Sequence, residues 1–250
     1  MNPITWPATA AIPAIDSPNG ASRGLGALLI VTARLSFAPV AILAPAIGWP
    51  ASLGKPAAGQ LASIAARPEA VACGYGVDLL CSVLIAPALI GLAARVCGGL
   101  SHPLAASVAA FAALSTLART IGILRWLTVM PSLAASHAGA DAATRAQIEM
   151  RFNALTACGG GIGEVLGVGI FMAASVGLAS VAAWRLRGLP RGLAGSGAIV
   201  APMLIALAAP AFGLPAVMPV AAGVTGVSLW MLAVGAWLAA KAPRPGAQSG

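Results

Sequence analysis

The sequence predicts an all-α protein: a polytopic membrane helix bundle with six transmembrane helices. Three observations carry that expectation. Of the 250 residues, 59% are hydrophobic and 8% charged, whereas a soluble domain carries roughly a quarter charged residues. The mean hydropathy is +0.93. Apolar runs of about 20 residues, the length that crosses a bilayer core as a helix, recur along the whole chain. No soluble core of this size could bury so much apolar side chain. A soluble enzyme, a disulfide scaffold and a disordered chain are therefore excluded.

Residues 1–23 are rich in Pro, Ala and Ser and lack a basic stretch ahead of an apolar one. They read as a flexible tail rather than a cleavable signal peptide. The first span, 25–49, is interrupted by Arg34 and carries Pro39 and Pro45. Neighbouring helices in a membrane can re-satisfy carbonyls that such prolines free. Spans two to six follow at 71–94, 104–130, 155–184, 193–212 and 217–240, and residues 241–250 form a second tail. Between spans three and four, 131–153 is the longest polar loop, in which Asp141 can N-cap a short helix.

The fourteen Lys and Arg give a net charge of +8, but they are scattered thinly. Nucleic-acid binding needs a concentrated patch, so membrane topology is the better reading of the excess. With the N-terminus inside, seven basic residues fall on inner segments, including Arg185, Arg187 and Arg191 in one loop. Four fall outside (Lys55, Arg67, Arg145 and Arg151), and three lie within spans. Both termini are thus expected to be cytoplasmic. The cysteines (Cys73, Cys81, Cys97, Cys158) show no CxxC spacing and read as small apolar residues. His102 and His137 are placed in loops on opposite sides, so no haem or metal pair forms within the spans. Trp49, Trp126, Trp184 and Trp237 fall near span ends, where indoles anchor at the interface.

Five ionisable residues stand where lipid is expected: Arg34, Asp78, Arg119, Arg125 and Glu164. Such a charge costs a few kcal/mol or more and normally faces the bundle interior beside a partner. At ~1.5 Å per residue, Asp78 and Glu164 lie on the order of 10–15 Å below the outer surface. Arg125 is slightly shallower and Arg119 slightly deeper. Two acids and two guanidiniums from three helices therefore share one layer. Asp78 shares its helix face with Gly74, Cys81 and Ser82; Arg119 shares one with Ser115, Thr116, Gly122 and Trp126. Gly159, Gly163 and Gly167 form a small-residue ladder beside Glu164 that allows close helix approach in lipid. Arg125 lies about a third of a turn off the Arg119 face and is expected to snorkel to the outer interface. Arg34, nearer the inner half, is expected to be separate.

Two readings of the layer stay open. One is a buried ion-pair network that fixes helix register, because removing one partner strands the other. The second is a polar cavity that takes a small polar or anionic ligand or relays protons. No nucleophile–base or metal constellation is visible, so catalysis is not expected and no cofactor is called for. The glycine run at 159–167 lacks the preceding strand of a dinucleotide loop. The resulting expectation is a non-enzymatic binding, sensing or accessory component. Its rival is a small proton-coupled secondary transporter using Asp78, Glu164 and Arg119. Six spans without a visible inverted repeat count against that rival. Lipid is the expected surrounding; an oligomeric state is not specified.

The stretches GILRWLTVMPSLA (122–134), FNAL with GGGIGEVLG (152–167) and LPRGLAGSGAIVA (189–201) resemble, in that order, a family of bacterial six-span proteins catalogued only as a domain of unknown function. Where that family often has Trp or Phe after LPR, this chain has Gly192. The resemblance implies the six-span architecture and marks Arg119, Arg125 and Glu164 as characteristic positions. It implies no chemistry.

Overall fold

A computed structural model describes residues 19–241. The expected tails lie mostly outside that range: 1–18 and 242–250 are not described, and 19–23 are helical. Within it the protein is built from helices joined by short turns, with no strand among the described residues.

The first crossing is a broken helix, α1 (Asn19–Leu35) followed by α2 (Ala38–Ile47). Pro39 is the cause, since it has no N–H to give the Leu35 carbonyl one turn back. Ser36 Oγ donates to the Ala33 carbonyl at 2.7 Å and lies 2.6 Å from Ser228 Oγ. A helix absent from the sequence expectation, α3 (Ala57–Ala66), precedes α4 (Pro68–Cys97). α4 stops at Gly98, which takes the left-handed conformation (φ 75°) that closes a helix without a Cβ penalty. α5 (Pro103–Leu127) begins with His102 Nδ1 accepting from the Leu104 amide at 3.2 Å and Pro103 in the first turn.

The polar stretch 131–153 is not a loop. α6 (Val129–Ala138) continues from α5, and Asp141 caps α7 (Ala142–Gly160) by accepting from the Thr144 amide at 2.8 Å. That helix does not end early as expected. It runs on through a π-helical segment, Gly161–Met172, into α8 (Ala173–Arg185), a continuous stretch of 44 residues. At ~1.5 Å per residue it is about 66 Å long, roughly twice a bilayer core, so its polar first turns, which carry Arg145, Glu149 and Arg151, extend beyond a core of that thickness. α9 (Arg191–Ala206) and α10 (Val220–Lys241) complete the bundle.

Five of these helical stretches are long and apolar enough to cross a membrane. The fifth expected span, 193–212, is the exception. α9 has 16 residues, about 24 Å, and ends in a short 3₁₀ turn, Ala209–Phe212. The chain is a multi-pass helical membrane protein with five helices long and apolar enough to cross among the described residues and two shorter apolar helices, α3 and α9.

Its interior has two apolar cores. The larger joins Leu29 and Ala33 to the second half of α4, the first half of α5, α8, α9 and α10. The smaller joins Leu43 and Ile47 to α3, Val71 and Tyr75 of α4, Ile123 and Trp126 of α5, α6, and Ile148 and Phe152 of α7. Asp78 falls between the two sets along α4, and Arg119 falls between them along α5. A polar layer is therefore sandwiched between two apolar ones.

A polar cavity between two apolar cores

α5 and the π segment run antiparallel at a distance only glycine permits. A Cβ on Gly122 would sit 2.7 Å from Gly163 Cα and 3.0 Å from the Gly159 carbonyl oxygen. On either side of this contact the ladder receives an arginine. The Arg125 side chain lies across bare Gly159, with Cδ 2.6 Å from where a Cβ would be, and Arg119 Cγ is 2.9 Å from the same position on Gly167. Residues 119, 122 and 125 of α5 thus meet 167, 163 and 159 in turn. Ser115 Oγ donates to the Gly167 carbonyl at 2.7 Å, supporting backbone within the π segment. π geometry often marks functional sites.

The two guanidiniums are held differently. Arg119 Nε donates to Ser82 Oγ at 2.9 Å and Nη2 to Asp78 Oδ1 at 3.3 Å. Thr116 Oγ1 ties the same turn of α5 to the Ser82 carbonyl at 3.0 Å. Arg125 comes no closer than 3.8 Å to Glu164 Oε1, which is outside hydrogen-bond range. Its Nε and Nη1 are buried without a partner, as are the hydroxyls of Tyr75 and Thr156. The Arg125 side chain is nonetheless only 9% exposed, while that of Glu164 is 56% exposed. Arg125 Cζ also stands 5.4 Å from the Trp126 ring centroid, within cation–π range.

These groups line a cavity of about 530 Å³. Tyr75 and Asp78 come from α4, Arg119 and Arg125 from α5, and Glu164 from the π segment. Facing them are Val40 and Leu43 of α2 and Val220 and Val224 of α10. Trp49, Pro50, Leu53 and Gly54 lie across the end nearer the smaller core. Trp126 stacks on Tyr75 (centroids 4.8 Å, planes 3° apart) and meets Phe152 edge-on at 6.2 Å, making a rigid aromatic floor beside Arg125. The volume is in the range of small-molecule sites.

The structure brings four of the five expected intramembrane charges to this cavity, and it corrects several placements. Arg125 does not snorkel to the interface; Gly159 leaves a bare strip along which it folds inward. Trp126 is no interface anchor but is buried in the smaller core. His137 lies in α6 rather than a loop, with Nε2 3.0 Å from Glu149 Oε1 of α7. Arg34 lines no part of the cavity and is exposed. It is not deeper than the layer, however: Cys81 Sγ donates to the Thr32 carbonyl at 3.6 Å, which sets Arg34 near the level of Asp78. Sequence reasoning missed Tyr75, whose place one turn before Asp78 was a usable signal, and the α2 and α10 walls, for which there was none. Among the described residues no group of His, Cys, Asp or Glu side chains is arranged to hold a metal ion.

Fold and site together define a multi-pass membrane protein with a charged cavity inside its helix bundle. The chain belongs to the family described as domain of unknown function DUF4386, whose model matches residues 25–235. No curated relative and no solved structure matches it.

Proposed function

We propose that the protein is a non-enzymatic binding component of a bacterial cytoplasmic membrane, with both termini inside, that takes a small polar or anionic ligand into the cavity between its two cores. The observation that carries this reading is Arg125. A pure register device closes its pairs, as Arg119 does with Asp78 and Ser82. Arg125 is as deeply buried yet makes no hydrogen bond to Glu164 and leaves two nitrogens unmet. Buried polar groups normally have hydrogen-bond partners, and an intramembrane cation held only by a 3.8 Å ion pair, with two nitrogens unmet, marks a place where something else can supply them.

The test does not depend on knowing the ligand. Leaving buried donors unmet costs about 1–3 kcal/mol, and residues kept for function at that cost can often be replaced with a gain in stability. The double variant Arg125→Met/Glu164→Leu should therefore unfold at or above the wild-type temperature. A double variant as unstable as either single one would make the pair a structural device and overturn the reading.

The transporter reading keeps one specific support: both carboxylates line the cavity, and Glu164 is more than half exposed. It requires that Glu164→Gln abolish proton-coupled uptake into vesicles while the protein still inserts and folds.

A further inference from the structure

We propose that the ligand is a single-chain amphiphile with an anionic head, a carboxylate or phosphomonoester, which enters from the surrounding lipid between α2 and α10. This rests on the binding reading above and narrows its ligand class.

The cavity is two-faced. Its charged groups all come from the α4, α5 and π-segment side, while Val40, Leu43, Val220 and Val224 supply mostly apolar wall from α2 and α10, with the Ser36 hydroxyl of the turn before α2 as the polar exception. An occupant that satisfies both faces carries a polar head at one end and hydrocarbon at the other. Arg125 and Tyr75 line the polar side, and three unmet donors of theirs lie buried just behind its surface: Arg125 Nε and Nη1 and the Tyr75 hydroxyl. Donors call for acceptors, and a guanidinium suits carboxylate or phosphate oxygens above all.

The way in follows from the packing. α10 packs mainly on α1 and α9, and α2 mainly on α4; α2 and α10 make no extensive contact, the turn before α2 touching α10 through Ser36 Oγ and Ser228 Oγ at 2.6 Å. Val40 and Val220, on the two rims of that gap, are both lining residues and exposed. One end of the cavity is covered by Trp49 to Gly54, and the larger apolar core closes the other. Both rims lie next to breaks in regular helix, the Ser36–Phe37 turn before α2 and the irregular stretch ahead of α10. Irregular backbone at membrane depth is tolerated where it borders a cavity, and broken helices recur at membrane binding sites.

The test uses the full chain in phosphatidylcholine nanodiscs and an ω-brominated dodecanoate, whose bromine quenches tryptophan on contact. Trp49 lines the cavity. Saturable quenching that unlabelled dodecanoate competes away, and that Trp49→Phe diminishes, is expected. Val40→Phe and Val220→Phe narrow the gap from exposed positions and should weaken this binding by roughly tenfold or more. Arg125→Gln should weaken it similarly. Equal binding by the two rim variants overturns the lateral route. Competition by acetate or inorganic phosphate as strong as that by dodecanoate shows a water-borne ion to be enough and overturns the amphiphile. Equal competition by dodecyltrimethylammonium overturns the anionic head. Absence of any saturable quenching overturns the proposal outright, while the Arg125/Glu164 double variant separately decides the binding reading.

Discussion

Adding one methyl group at Gly122 should part α5 from the π segment. The new Cβ would lie 2.7 Å from Gly163 Cα, against the 3.4 Å at which ordinary contact begins. Main chain must therefore move by about 0.7 Å, and both atoms that block it, Gly163 Cα and the Gly159 carbonyl, belong to helix backbone that cannot rotate away. Overpacking of this kind costs about 1–3 kcal/mol. For a chain of this size 1 kcal/mol is worth roughly 2–4 °C, so Gly122→Ala should lower the melting temperature by about 2–12 °C. Two companions calibrate it. Gly163→Ala meets Gly122 Cα at 3.1 Å, with its next neighbour at 3.7 Å, so a shift of a few tenths of an ångström suffices and its loss should be smaller. Gly161→Ala meets nothing within 4 Å and should cost nothing. The assay is thermal unfolding of the purified protein in a non-ionic detergent. If Gly122→Ala melts with Gly161→Ala, the glycine contact is not what brings these helices together.

Three further outcomes are expected. Phe152→Ala removes a fully buried ring that meets Trp126 edge-on, and should cost about 3–5 kcal/mol in the same unfolding assay. Asp141, held below the usual aspartate range by hydrogen bonds from the Thr144 amide and hydroxyl, titrates lower folded than unfolded. Its support of α7 is thus present above the unfolded value and lost as pH falls through the folded one. Amide exchange in the first turn of α7 should quicken on acidification in the wild type, and Asp141→Asn should remove that dependence. In a background with the exposed Cys73 and Cys158 changed to serine, Ala138→Cys should react with an impermeant maleimide added outside the cell. Failure to react, with reaction after permeabilisation, would invert the topology.

What was legible in the sequence follows from what hydropathy measures. Apolar runs gave the crossings, and the depth of Asp78 and Arg119 along them gave the layer in which these two side chains meet. Hydropathy looks for runs of about 20 apolar residues, so it passes over the ten-residue α3, and it cannot show that the short helix expected after Asp141 joins the span expected from 155 into one continuous helix. Trp126 was misplaced for a related reason. The apolar run ends near it, but the chain continues as α6 and covers the indole with α7. The π segment left no residue signature beyond its glycines. Arg125 shows the limit of helical-wheel reasoning. The angle between Arg125 and Arg119 on an isolated helix takes no account of the neighbouring helix, which sets the direction of Arg125 because Gly159 offers a track for the long side chain.

That track separates two roles the glycine ladder plays. Were the ladder a packing device alone, α5 would present small residues to all three positions, as Gly122 does to Gly163. Instead Gly159 and Gly167 receive the stems of Arg125 and Arg119, whose heads reach the cavity. Gly159→Ala should therefore behave unlike Gly122→Ala. The atoms its Cβ meets are Cδ, Cζ and Nη1 of Arg125, a side chain already loose from Glu164 and able to swing aside. Melting temperature should stay within the range of ordinary neutral substitutions, about ±0.5 kcal/mol, while the displaced guanidinium weakens binding of the brominated probe. A loss of stability matching that of Gly122→Ala, with probe affinity intact, would show that Arg125 is buried there for packing, and that its unmet nitrogens serve no ligand.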